Sequence, residues 1–420
     1  MHLVLVCLGL VFIACGNDGM RQGEELVYWS SNNTYEQAFA RRIVARWNRL
    51  HPEHPVVHQP VPEGQSSEEI ILAAIAAGTT PDIYSNVWPG DVQFYVRAQA
   101  LVPISRFENA ERELTARSGS ETIEAARSPD GRLYHVPWKT NPILMLYNLT
   151  LLKELGYTKP PATYDEFFIM AETLKHTGKT DRWMGFADIR NVWWQRFFDF
   201  YPLYLAASGG QTLVRGSRVL FENEAAVSVI KFLQTVYAKG YFPRQKSSAV
   251  GDLFLLNLLA TRFTGPWSIN YLEKYKPGGL EYNFAPMPVP VRRPGPVYTY
   301  GDPKHIVIFS TCKKPEIAWQ FVKFMISREN DLLLLRITGQ LPRRTGLLQD
   351  SLFAAYFRRH PKMVTFARQA EHVRGADQSP YMKEIFDAIS QEYEAAVVYQ
   401  AKSARQAIQD AAKRVRLILQ

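Results

Sequence analysis

Leu26-Val27-Tyr28-Trp29, the polar residues Ser30 to Thr34, and then Phe39, Ile43, Trp47 and Leu50 at three- and four-residue spacing form the stretch on which the fold turns. The first four residues are apolar and β-prone and predict a short strand. The spacing that follows predicts a helix with one apolar face, leaving Arg41, Arg42, Arg46 and Arg49 mostly on other faces. The same unit then recurs. Pro52 and Pro55 lead to strand-like Val56-Val57, a second helix is expected from about Glu68 to Ala77 with Gly78 as its stop, and Pro81-Asp82-Ile83-Tyr84 begins another strand. Strands alternating with helices build a parallel or mixed sheet covered on both faces, whose ligands sit beyond the carboxyl ends of the strands. Here those ends are Trp29 to Asn32 and Tyr84 to Trp88. Later helices are expected at Thr163 to Lys175, Ala225 to Ala238, Pro315 to Ser327 and Ser403 to Leu419.

At 420 residues the chain exceeds what one core supports, since single cores stop growing near ~250 to 300 residues, and two lobes are expected. Hydrophobic residues make up 46% and charged residues 21%, the balance of a soluble globular chain. A net charge of +9 would suit nucleic acid, but the basic residues are scattered among acids. The densest spots are pairs, Arg292-Arg293 and Arg343-Arg344, so no nucleic-acid partner is expected.

Leu3 to Ala14 is uncharged and apolar, and its ~12 residues fall short of the ~20 that span a bilayer as a helix. It reads as a signal-peptide core. Phe12-Ile13-Ala14-Cys15-Gly16 resembles a bacterial lipobox, with Cys15 as the lipidated mature N-terminus and Asn17 to Gly23 as a polar tether. Of the three cysteines only Cys312 lies in the body, which leaves one free thiol and no intramolecular disulfide.

Further motifs follow in a fixed order. Ala73 to Ile83 runs helix, glycine, Pro-Asp strand start; Gly131 to Pro137 leads to Leu146-Tyr147-Asn148, Leu155-Gly156-Tyr157 and Pro161 to Phe167; then come Gly265-Pro266-Trp267, Ala285-Pro286-Met287-Pro288, Lys313 to Phe324 and Gly339 to Pro342. In order and spacing the chain resembles family 1 of the extracellular solute-binding proteins of ABC importers, which includes maltose- and glycerol-3-phosphate-binding members. The resemblance implies an α/β, two-lobed periplasmic-binding-protein fold, each lobe a mixed sheet flanked by helices, with hinge crossings near Pro137, Pro286 to Pro290 and Leu332 to Gly339. It divides the chain into a leader (1–14), a tether (15–23), a first lobe (24–136 with 287–332) and a second lobe (137–286 with 333–420). It also implies a monomer that needs no cofactor or metal, held outside the cytoplasm by its lipid and serving permease subunits in the membrane.

A sugar presents an apolar ring face and a rim of hydroxyls, so its site needs flat aromatics with amide, hydroxyl and carboxylate partners. The resemblance places a sugar-stacking tryptophan at Trp267. Trp29, Ser31 and Asn32 at one strand end, Asn86 and Trp88 at another, and Gln65 before the second helix are the first-lobe candidates. Trp138, Thr140 and Asn141 follow Pro137 and would face the cleft; Trp194 is the stacking candidate from an aromatic cluster; Tyr300, Gly301 and Asp302 fall where many members bring a glycine pair close to the ligand. Arg374 resembles an arginine set against phosphate in glycerol-phosphate-type members, a role its forked guanidinium suits. Trp267 thus points to a sugar or oligosaccharide and Arg374 to a polyol phosphate such as glycerol 3-phosphate or a glycerophosphodiester. The rival reading is a secreted glycoside hydrolase, which needs two carboxylates across one bond. Asp82, Asp165, Glu166, Asp199 and Asp302 are available, but none sits in a recognisable catalytic setting, so binding without catalysis is expected. His51, His54 and His58 are interrupted by Pro52 and Pro55 and read as a loop, not a metal site.

Overall fold

The computed structural model describes residues 25–63, 66–179, 181–189, 192–244, 251–377 and 379–420. The leader, Cys15, the tether and Gln65 lie outside the described residues. The strands are β1 (Leu26–Ser30), β2 (Val56–Pro60), β3 (Ile83–Val87), β4 (Val136–Thr140), β5 (Leu144–Asn148), β6 (Val214–Arg215), β7 (Arg218–Val219), β8 (Thr261–Thr264), β9 (Tyr282–Ala285), β10 (Thr299–Tyr300), β11 (Lys304–Ile308), β12 (Leu341–Pro342) and β13 (Val373–Arg374).

The first lobe is built on a six-stranded mixed sheet in the order β12-β4-β11-β3-β1-β2. β1 pairs in parallel with β2 and β3, while β11, β4 and β12 add antiparallel to the other edge. Helix Thr34–Leu50 begins where Asn33 accepts hydrogen bonds from the Tyr35 and Glu36 amides, and it buries Phe39, Ile43 and Trp47. Those side chains join Tyr28 and Phe321 in a core on one face of the sheet; Ile71, Tyr84, Val92 and Val307 form the core on the other. Helix Ser67–Ala77 ends at Gly78 in the left-handed conformation, φ 66°, the stop that its glycine predicts.

The second lobe is organised by β8-β5-β9, and both pairings are antiparallel, in place of the mixed sheet expected there. Successive side chains of a strand point to opposite faces. Ile143 and Met145 therefore enter one core with Phe167 and Phe200, and Leu144 and Leu146 enter another with Leu272 and Phe366. The helices expected in this lobe form at Tyr164–His176, Glu224–Ala238 and Ala404–Ile418, each opened by a side-chain cap from Thr163, Asn223 or Ser403.

The chain passes between the two sheets at places displaced from the expected ones. Pro137 is inside β4 opposite His305, so the first passage falls between Thr140 and Leu144. Residues near Pro286 to Pro290 stay with the second lobe, because Val289 exchanges backbone hydrogen bonds with Ala162 and Tyr164. The second passage is instead at Gly301 to Pro303, between β10 and β11. Helix Arg328–Thr338 sends Leu334 into the first-lobe core and Leu332 and Leu335 into a second-lobe core, and the chain returns only after β12 has paired with β4. Proline marked the expected passages, yet a proline whose nitrogen faces no ladder partner is tolerated within a strand or along an edge.

Candidate functional site

Beyond the carboxyl end of β1, Glu36 lies in the first turn of the capped helix and is buried. Its carboxylate accepts hydrogen bonds from Ser31 Oγ at 2.7 Å and Gln340 Nε2 at 2.9 Å, and it pairs with the buried Lys139 ammonium of β4. Burial opposes its ionisation, but Lys139 and these hydrogen bonds outweigh burial and hold Glu36 below the usual carboxylate range. Beside it Asp302, at φ 35°, pairs with Lys304 at 3.3 Å. Burial disfavours the Lys304 ammonium, yet the carboxylates of Asp302, Glu68 and Glu36 hold its pKa above the ordinary lysine value. Asn86 closes β3 at φ 82° and hydrogen-bonds the Tyr84 hydroxyl. Charges of alternating sign, each fixed by neighbours, thus cover the strand ends.

A cluster of aromatic side chains gathers on the second lobe. Trp88, expected to meet the ligand, is only 2% exposed and instead packs into a second-lobe core, its ring 5.0 Å from Trp193 and 5.4 Å from Phe197. Its indole N–H donates to the Tyr300 hydroxyl at 3.2 Å. Trp267 is half-buried at the start of helix Ser268–Tyr275, with Phe198 edge-on at 6.3 Å. A glycine two residues away makes room for each of these indoles. A Cβ on Gly265 would lie 2.1 Å from the Trp267 ring, and one on Gly90 would lie 2.2 Å from Trp88. Lys383 ties the cluster to the first lobe through Asp91 at 3.0 Å, with its ammonium 5.7 Å from the Trp193 ring centre.

Several expected site residues occupy other roles. Trp138 is 1% exposed and packs against Phe39 in the first-lobe core, since alternation along β4 turns it away from the passage to Asn141. Tyr300 is fully buried, stacked on Phe197 at 4.6 Å, and serves packing. Trp194 is 38% exposed, and it is the neighbouring Trp193 that meets Trp88. Thr140 Oγ1 donates to the Gly301 carbonyl at 3.1 Å, the Asn141 amide donates to the same oxygen, and Asn141 Nδ2 donates to Gln340; both residues bind the chain passages together. Arg374 pairs with Glu121 at 3.2 Å, donates to the Gly210 carbonyl at 3.2 Å and lies 4.3 Å from the Tyr298 ring centre. Trp29 donates to Gln59 Oε1 at 3.1 Å, Ser31 is held by Glu36, and Asn32 is exposed.

Glu36, Lys139 and Lys304 went unread in the sequence, and within the aromatic cluster Trp194 was chosen over Trp193. Lys139 carried a signal, a lone charge between Val136-Pro137-Trp138 and the apolar run of β5, where only an internal partner makes burial tolerable. Among the described residues no three His, Cys, Asp or Glu side chains converge to hold a metal.

Two α/β lobes joined by several chain passages define a solute-binding protein of the periplasmic type. The chain belongs to the bacterial extracellular solute-binding protein family, whose profile matches residues 44–363. It is 25% identical over 358 residues to a Brucella abortus (strain 2308) protein named only as a binding protein, covering 82% of this chain and 81% of that one. It is also 25% identical over 251 residues to the maltooligosaccharide ABC transporter solute-binding lipoprotein of Streptococcus pneumoniae (strain ATCC BAA-255 / R6), covering 56% and 55% of the two chains. A solved structure from Listeria monocytogenes EGD-e, of a protein without assigned function, superposes with a TM-score of 0.84 at 26% identity, covering 94% of this chain and all of that one.

Proposed function

We propose that the protein captures an oligosaccharide between its lobes and presents it, unconverted, to the membrane subunits of an ABC importer. The observation that carries this reading is the half-buried Trp267 indole laid over Gly265 with Phe198 edge-on beside it. A sugar ring stacks on such a face while its hydroxyls meet amide, hydroxyl and charged groups. The name of the pneumococcal relative, a maltooligosaccharide-binding lipoprotein, supports the same class of ligand and of transporter. A polyol phosphate fits less well, because Arg374 is engaged with Glu121 and Tyr298. Against hydrolysis stands the pairing of Glu36 with Lys139, which holds that carboxyl ionised and unsuited to donate a proton. Calorimetric titration with maltotetraose, arabino-oligosaccharides and glycerol 3-phosphate, with mass spectrometry of the recovered glycan, tests the reading. Saturable binding of an intact oligosaccharide is expected; steady product release, or binding of the phosphate alone, overturns it.

Cys15 is the proposed lipid attachment point, resting on the short apolar leader and the Ala14-Cys15-Gly16 junction. The wild-type protein should enter the detergent phase of a Triton X-114 separation and Cys15→Ala should stay in water. A wild-type protein found in the aqueous phase would remove the anchor.

A further inference from the structure

A cavity of about 360 Å³ opens beside the chain passages at Thr140 and Gly301, with His135, His305 and Thr122 from the first lobe and Arg374 and Arg215 from the second among its lining residues. Its two histidines are 0% and 7% exposed, their rings edge to face at 4.4 Å. Neither ring nitrogen of His135, nor Nδ1 of His305, has a hydrogen-bond partner in the protein. Buried polar atoms without partners cost on the order of 1 to 3 kcal/mol each, so such atoms gathered on one cavity wall call for an occupant. Burial pushes the His135 imidazole down to about 4, and burial with the neighbouring His135, Lys304 and Arg343 pushes His305 well below its ordinary value, so both rings are neutral and each has one N–H to donate.

Arg343 lines the same cavity. Its guanidinium donates to the Ala370 carbonyl at 2.8 Å and to Thr122 Oγ1 at 2.7 Å, both neutral acceptors. Glu121, an acid within its field, is already paired with Arg374. Glu121, Glu371 and Arg215 line the cavity too and are exposed, so its buried charged and imidazole groups are Arg343, His135 and His305. Arg215, Arg343 and Arg374 among the lining residues disfavour a metal cation, which two imidazoles would otherwise suit.

We propose that this cavity is a second ligand site, for a small oxyanion of the phosphate or carboxylate class, held by Arg343 with the His135 and His305 N–H groups as further donors. A forked guanidinium presents two parallel donors to either anion. The site shares no wall residue with Trp267, Trp193 or Glu36, and it stands whether or not the cleft takes a sugar.

The experiment is calorimetric titration of the mature chain with inorganic phosphate and, separately, malonate, with thermal melts in parallel. Saturable binding with a raised melting temperature is expected, and whichever anion binds more tightly assigns the class. Arg343→Gln should lose tenfold or more in anion affinity. Ala125→Phe, which fills the cavity from an exposed helical position and keeps every arginine, should do the same if Arg343→Gln fails to fold. Trp267→Ala should bind the anion as the wild type does. Absence of saturable binding by both anions at millimolar concentration, or wild-type affinity in Ala125→Phe, overturns the proposal.

Discussion

Trp267 depends on the residue two places before it, since any side chain at position 265 would occupy the space of its indole. The Gly265-Pro266-Trp267 triplet is therefore a device for laying a flat ring at a helix start. Removing that ring by Trp267→Ala deletes a stacking face worth on the order of 1 kcal/mol beyond its area, about a fivefold loss of oligosaccharide affinity and more once the lost apolar contact is added. Arg374→Ala should leave that affinity unchanged, because its guanidinium is spent on Glu121, Gly210 and Tyr298. Calorimetry on both variants checks the pair, and wild-type affinity in Trp267→Ala would place the cleft elsewhere. Glu36 shows the same dependence in the polar half of the site. Its ionised state rests chiefly on Lys139, from a strand more than a hundred residues away and buried against it, with Gln340 and Ser31 adding hydrogen bonds.

Among the elements, the passages between lobes depend on close backbone approach more than on proline. Gly301 donates its N–H to the Arg374 carbonyl and accepts at its own carbonyl from Thr140 and Asn141, so three segments meet on one residue. A Cβ there would sit 2.9 Å from both Thr140 Oγ1 and Val373 Cβ, neither of which is the loose end of a long side chain. Gly301→Val should consequently cost about 1 to 3 kcal/mol, the usual penalty of overpacking, and lower the denaturant midpoint without changing the slope of the transition. An unchanged midpoint would mean that the crossing segments can separate without loss. Pro137 shows the contrary case, a proline held inside a paired strand and unable to act as a passage.

On the scale of the molecule, each lobe has its own apolar cores, two on the faces of the first sheet and two on the faces of the second. Contacts between lobes include the apolar ones of Trp88, Leu332 and Leu335 and also polar ones: Lys383 with Asp91, Arg374 with Glu121, and Arg97 over Tyr381. Burial pushes Asp91 up to about 6 although Lys383 opposes it, which marks that contact as one with a desolvation cost. Separate cores permit rigid lobes to move, and a ligand touching both favours the arrangement that encloses it. Addition of a saturating oligosaccharide should therefore shrink the radius of gyration in solution scattering. An identical profile with and without ligand would remove domain closure from the account.

The first three strands and the most regular helices of both lobes were legible in the sequence because they depend on local causes: apolar spacing of 2 or 3.6 residues, a capping side chain such as Thr163 or Ser403, a left-handed stop at Gly78. The order of motifs likewise sufficed for the family. Tertiary structure alone decided which aromatic of a run turns outward. Trp193 rather than Trp194 meets Trp88, and Trp138 and Tyr300 enter cores, because orientation follows from pairing register and packing between segments far apart in sequence. The same holds for Glu36 with Lys139 and for His135 with His305. A buried charge or imidazole acquires its chemistry from a partner, and partners separated by over a hundred residues meet only when the sheet forms.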